Sequence, residues 1–172
     1  MHLTFSPTTQ ADAEALVEIR IAAMRESLAR IGRFDPQRAR ERFLAAFEPA
    51  LCHFIEADGV RAGFVLVRPL EDHWLLDHLY VLPAHQGRGI GARVLREIFA
   101  DADRQGMAVR VGALRGSDSN RFYLRHGFAQ VDESEWDIYY VRQPLAQATG
   151  RWQPLADFPD PESFIMERPD TP

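Results

Sequence analysis

Residues 85–91, HQGRGIG, place three glycines and an arginine at the junction between two segments of different periodicity. Before them, LDHLYVLP (residues 76–83) reads as a strand. After them, ARVLREIFADADRQG (residues 92–106) reads as a helix, with Ile90, Val94, Leu95 and Ile98 on one face and Arg93, Arg96 and Glu97 on the other. Glycine loses more conformational freedom on folding than any other residue. Three at one junction therefore imply a close backbone approach or a dihedral that other residues resist. A strand, a glycine turn and an amphipathic helix in succession restrict the chain to folds that layer helices on a sheet.

The flanking segments set the order of elements. HLTFSP opens as a short strand, and Thr8 or Thr9 can cap a helix that begins near Ala11. Leu16, Ile19, Ala23 and Leu28 recur at helical spacing, and Gly32 is a natural stop. Asp35 followed by Pro36 signals the cap and first turn of a second helix, PQRARERFLAAF. Asp58-Gly59, between two β-favouring runs, marks a hairpin, and HWLLDHLYVLP adds a strand to make an antiparallel meander. Beyond the glycine turn and its helix come a strand at MAVRVGAL, a short helix at SNRFYLRHGF and a final strand at EWDIYYVR. The order β-α-α-β-β-β-α-β-α-β describes one α/β domain of the α+β type over residues 1–143, with a mixed, mostly antiparallel sheet flanked by helices. Residues 144–172 hold six of the chain's eleven prolines. They read as an extended C-terminal segment, ordered where Trp152, Phe158 or Phe164 finds a surface.

A chain of 172 residues suits one well-cored domain. A net charge of −5 argues against nucleic acid or an anionic membrane as partner. The N-terminus has neither the basic nor the apolar region of a signal peptide, and no apolar run is long enough to span a bilayer. Cys52 is the single cysteine, has no intrachain disulfide partner and reads as a core residue. These features describe a cytoplasmic protein. No metal site is expected from the six histidines, since His73 and His78, five apart on one strand, face opposite sides. Arg38, Arg40 and Arg42, at every second position of a helix, spread around it as a solvated face.

Three phosphate-binding readings compete for the glycine turn. A Walker loop needs a lysine followed by Ser or Thr, and none is present. Gly87, Gly89 and Ala92 satisfy the dinucleotide pattern G-x-G-x-x-A, but that pattern should follow the first strand of a parallel βαβ unit. Here it follows a meander, and the next strand offers Arg110 where an acidic residue is required. The third reading is the diphosphate arm of coenzyme A. LYVLPAHQGRGIGARVL resembles the signature of the GNAT superfamily of acyl-CoA-dependent N-acetyltransferases, with Gln86, Gly87, Arg88, Gly89, Ile90 and Gly91 filling it between a strand and a helix. NRFYLRHGF resembles the family's later motif, an aromatic pair on a short helix before Gly-Phe, with Tyr123 spaced correctly from Gly127-Phe128. Gly116 and Ser117 stand where the family often has an asparagine.

The resemblance implies a GNAT-like fold with acetyl-CoA as co-substrate and an amine that attacks the thioester directly. It also implies that the fourth and fifth strands splay, so that amides near Leu79, Tyr80 and Val81 bind the pantetheine arm and the thioester carbonyl. Tyr123 is the candidate acid for the leaving thiolate. Freeing an alkyl amine of pKa about 10.4 at neutral pH costs roughly 4–5 kcal/mol, so a base is also needed. Asp77 is placed for it by sharing strand parity with Leu79 and Val81, while His78 takes the opposite face unless a bulge intervenes; water is the remaining alternative. The acceptor is a small-molecule or peptide amine, and the acidic net charge favours a cationic one. The aromatic C-terminal segment can bridge a homodimer. A non-catalytic acyl-CoA-binding or sensing domain is the alternative on the same scaffold, and a dinucleotide-binding oxidoreductase subunit is disfavoured by strand order.

Overall fold

The computed structural model describes residues 1–145. In chain order the elements are β1 (Leu3–Pro7), α1 (Ala13–Arg30), α2 (Pro36–Ala46), β2 (Cys52–Ala57), β3 (Val60–Pro69), β4 (His73–Val81), α3 (Ile90–Arg104), β5 (Ala108–Leu114), α4 (Ser119–Arg125), β6 (Ala129–Glu133) and β7 (Asp137–Arg142). The expected order is present with one strand added. All five residues of β6 are exposed, so no apolar alternation marked it in the sequence. Most of the expected C-terminal extension, from residue 146 on, lies outside the described residues.

The strands form a single sheet in the order β1-β2-β3-β4-β5-β7-β6. Every pairing is antiparallel except β4 with β5, which is parallel and joins only His73–Leu76 to Ala108–Val111. α1 and α2 bury Leu16, Val17, Ile19 and Phe43 against Phe54, Phe64 and Leu66 on one face. On the other face Val94, Leu95 and Ile98 of α3 and Tyr123 of α4 pack against Val65, Leu76, Val109 and Val111. Buried in this way, each large apolar side chain contributes roughly 1.5–3 kcal/mol, which gives the sheet two separate cores.

Local chemistry sets the element ends. The Asp12 carboxylate accepts from the Thr9 backbone N–H at 2.8 Å and its hydroxyl at 2.9 Å, shaping the turn into α1. Asp35 accepts from the Arg38 N–H at 3.0 Å and caps α2, with Pro36 in its first turn. β3 and β4 run so close at Gly63 that a Cβ there would lie 2.0 Å from the Tyr80 carbonyl oxygen.

β4 contains a bulge that overturns the expected parity. His78 pairs with Leu66, but Leu76 pairs with Val67, leaving Asp77 as the extra residue. Leu76 thus joins the α3-side core. Asp77 does not share the face of Leu79 and Val81: its carboxylate meets Arg68, whose Nε donates to Oδ2 at 2.7 Å and whose Nη2 donates to Ala46 O at the end of α2. His78 lies on that same α1/α2 side, its ring 5.2 Å from Phe43, 6.0 Å from Phe64 and 5.6 Å from Tyr80. Burial pushes its pKa down to about 4, so it is neutral at physiological pH.

Two stability measurements follow from this packing. Gly63→Ala is expected to lower unfolding stability by about 1–3 kcal/mol in urea, since backbone must move to admit the methyl group; a change under a few tenths would contradict the tight crossing. For His78, the unfolded chain protonates near pH 6.5 and the folded one near 4. The unfolded state therefore binds more protons between those values, and the contribution is complete above about pH 6.5 and lost as pH falls towards 4. Relative to His78→Phe, the native protein should lose on the order of 2–3 kcal/mol between pH 7 and pH 4.5. A constant difference would mean that the imidazole is not held neutral by burial.

Candidate active site

The short parallel pairing makes the site. Beyond Leu76 and Val111, β4 and β5 no longer pair, and a cleft opens between Leu79–Val81 on one side and Gly112–Leu114 on the other. Ala23, Met24 and Ser27 of α1 border it from one face of the sheet. The Leu82 N–H donates to Ala62 O of β3 at 2.8 Å. Because backbone groups alternate along a strand, Tyr80 also directs its N–H and C=O to β3, while Leu79 and Val81 direct theirs into the cleft. Of the three expected backbone contacts, Tyr80 is therefore the exception: it supplies a ring to the cleft wall. The Val81 carbonyl accepts from Gln86 Nε2 at 2.9 Å, which ties the glycine turn to the end of β4.

The glycines of that turn have different reasons. Gly87 (φ 71°) and Gly89 (φ 76°) occupy the left-handed region with no neighbour within 4 Å of a notional Cβ, so their requirement is conformational. Gly91 is a packing residue, since its Cβ would lie 3.0 Å from Cζ of Phe122 and push α3 away from α4. Ile90 sends its side chain into the core and can offer a ligand only its amide. α3 begins there with no side-chain cap and no acidic residue in its first turn. Its leading N–H groups and the positive end of its dipole thus form an anion site of the kind that suits a diphosphate. Arg88 is exposed beside it, 3.3 Å from His85 Nδ1.

Tyr123 and Asp77 border the cleft from opposite faces of the sheet. Tyr123 belongs to the α3-side core, its ring 5.3 Å from Phe122 and 5.3 Å from Phe128, and burial pushes its phenol well above the usual range. Its hydroxyl stays protonated at any physiological pH and makes no hydrogen bond among the described residues. Asp77 enters from the α1/α2 side, anchored by Arg68; His78 Nε2 is 3.9 Å from its Oδ2, too far for a hydrogen bond. Two further residues shape the site. Tyr140 donates from its hydroxyl to Asn120 Oδ1 at 2.8 Å, and Asn120 Nδ2 donates to Leu114 O and Ser117 O, both at 2.9 Å. That chain holds the β5–α4 loop against the cleft. Cys52 is buried on β2, outside the cleft lining, and its thiol is pushed up to about 11, so it is no nucleophile.

Similarity to known proteins agrees with this geometry. Residues 48–130 match the acetyltransferase (GNAT) domain family, a span that runs from β2 through the glycine turn and α4 into β6. A GCN5-like protein acetyltransferase of Mycobacterium tuberculosis is 30% identical over 101 residues, covering 55% of this chain and 48% of that protein, so the chain spans about half of its relative's length. Among solved structures, the PaiA N-acetyltransferase of Thermoplasma acidophilum, in complex with coenzyme A, superposes with a TM-score of 0.64 at 18% identity, over 83% of this chain and 99% of that one. The ribosomal-protein-S18-alanine N-acetyltransferase of Escherichia coli superposes with a TM-score of 0.61 at 16% identity, over 88% and 100%. The span that matches the GNAT acetyltransferase domain, residues 48–130, holds both the parted strands and the uncapped start of α3.

Proposed function

We propose that this chain transfers the acetyl group of acetyl-CoA to an amine within a ternary complex. The observation that carries the reading is a cleft that brings Gln86 of the glycine turn, which precedes the uncapped start of α3, together with Leu79, Val81, Tyr123 and Asp77. The diphosphate rests on the first-turn N–H groups of α3, with Arg88 adding charge. The pantetheine arm lies along the free edge of β4, and a cleft-facing amide polarises the thioester carbonyl.

The amine arrives as an ammonium ion. Asp77 Oδ2 is committed to Arg68, which leaves Oδ1 to take the ammonium proton or hand it to water. The neutral nitrogen then attacks the carbonyl carbon, forming the C–N bond as the C–S bond breaks. The departing sulfur takes its proton from the Tyr123 phenol, and the proton lost from nitrogen restores that phenol. A phenol held above its ordinary range is a weaker acid than the departing thiol, so it gives up its proton only as the proton lost from nitrogen replaces it, which confines the step to the leaving-group stage.

Tyr123→Phe should keep acetyl-CoA affinity within about twofold and lower kcat by about a hundredfold, measured as free thiol released with an amine acceptor. Unchanged kcat would remove Tyr123 from the mechanism. Asp77→Asn should lower kcat/KM by about tenfold or more in the same thiol-release assay; an unchanged kcat/KM would assign deprotonation to water alone.

A further inference from the structure

The amine must reach the thioester from the face opposite α3, because the glycine turn and α3 occupy the coenzyme's side. That second face is bounded by α1, α2 and the loop between them, and its charge is one-sided. Arg20 shares a stripe of α1 with Ala23, Met24 and Ser27, three residues that line the cleft. Its Nη1 donates to Ala39 O of α2, while its Nε is buried with no hydrogen-bond partner. Arg38 and Arg42 stand four apart on α2 and so share a face, and neither makes an ion pair among the described residues. Arg33, in the loop, lies 3.6 Å over the Trp136 ring in the β6–β7 turn. The α1–α2 connection thereby reaches across to the far edge of the cleft.

The nearby acids are mostly committed elsewhere. Glu14 holds Arg40, and Asp35 caps α2. Asp137, which pairs in register with the cleft residue Leu114, is the carboxylate that faces Arg42 and Arg33, and burial raises its pKa. Arg42 is held below its ordinary value, first by burial and then by the charges of Arg38, Arg20 and Arg33. Arg20, Arg33 and Arg38 gather around Arg42, with Asp137 as the carboxylate that faces it, Asp77 paired to Arg68 and Glu41 bonded to Gln37, so positive charge is in excess at this entrance although the chain as a whole carries −5.

We propose that the acceptor amine carries an anionic group, a carboxylate or a phosphate, which the arginines of α1, α2 and their connecting loop hold while Asp77 receives the amino end. The inference rests on the acetyl-transfer reading and reverses the preference for a cationic acceptor that the net charge suggests. Arginine suits the task, since its planar donors pair with either anion in two-point fashion.

The test is thiol release from acetyl-CoA with matched acceptors: β-alanine against propylamine, and phosphoethanolamine against ethanolamine, with cadaverine as the cationic comparison. The anionic member of at least one pair should show about tenfold or greater kcat/KM, mainly through KM, with the advantage shrinking as salt rises. The pair with the larger ratio separates phosphate from carboxylate recognition. In Arg42→Gln that ratio should fall by about tenfold, and in Arg38→Gln by a smaller factor. Equal or better turnover of propylamine, ethanolamine and cadaverine, or ratios unmoved in both variants, would overturn the inference and leave acetyl transfer standing. No thiol release with any amine, together with no acetyl-CoA binding, would instead overturn the acetyl-transfer reading and this inference with it.

Discussion

β4 and β5 run parallel for four residues and then part, and every proposed contact with substrate depends on that parting. A sheet that stayed paired would satisfy the backbone groups of Leu79 and Val81 internally and leave no passage between its faces. The bulge at Asp77 is the local device, because an extra residue bends and twists the strand that carries it. The same residue also rotates the strand's parity, which places Leu76 in one core, His78 against the other, and the Asp77 carboxylate on the α1/α2 side. One inserted position thus opens the cleft and sets which side chain looks into it from which face.

The two cores give the site its division of labour. α3 packs on one face and offers an uncapped N-terminus, while α4 packs beside it and brings Tyr123 to the cleft; Gly91 exists to let Phe122 close that contact. α1 and α2 pack on the other face around Phe43, Phe64 and His78, and the Arg68–Asp77 pair is tied to the end of α2 through Ala46. A donor that enters on the first side and an acceptor on the second meet only where the sheet is open. In the proposed reaction such a layout would hold both reactants in place and so supply much of the entropy that a bimolecular reaction in water would lose.

Much of this was legible in the sequence because it rests on strong local signals. The Asp58-Gly59 hairpin, the Asp35-Pro36 helix start and the amphipathic α3 are encoded by turn chemistry, capping and periodicity, and each lies where those signals place it. What escaped depends on long-range pairing. β6 has no apolar alternation, since both its faces are exposed. The β4 bulge is a register shift against β3, which no spacing within β4 reveals, so the face of Asp77 was misassigned. Tyr80 differs from Leu79 and Val81 only through the hydrogen bond that turns Leu82 towards Ala62. The three glycines of the turn look alike as letters, yet two serve the backbone and one serves packing. Arg38 and Arg42 read as part of a solvated helix face, and only the fold reveals that Arg33, Arg20 and Asp137 surround them.

In the proposed reaction the turn at residues 85–91 and the start of α3 hold the diphosphate of acetyl-CoA. Calorimetric titration of the folded protein with acetyl-CoA, with NAD as the control ligand, tests it most directly. Saturable one-to-one binding of acetyl-CoA is expected, with none of NAD and loss of binding in Gly89→Glu, which sets a carboxylate where the diphosphate should rest, while circular dichroism shows the fold retained. No heat of binding from a protein shown to be folded, or equal binding by Gly89→Glu, would contradict it and leave the glycines as a turn that only shapes the path from β4 to α3.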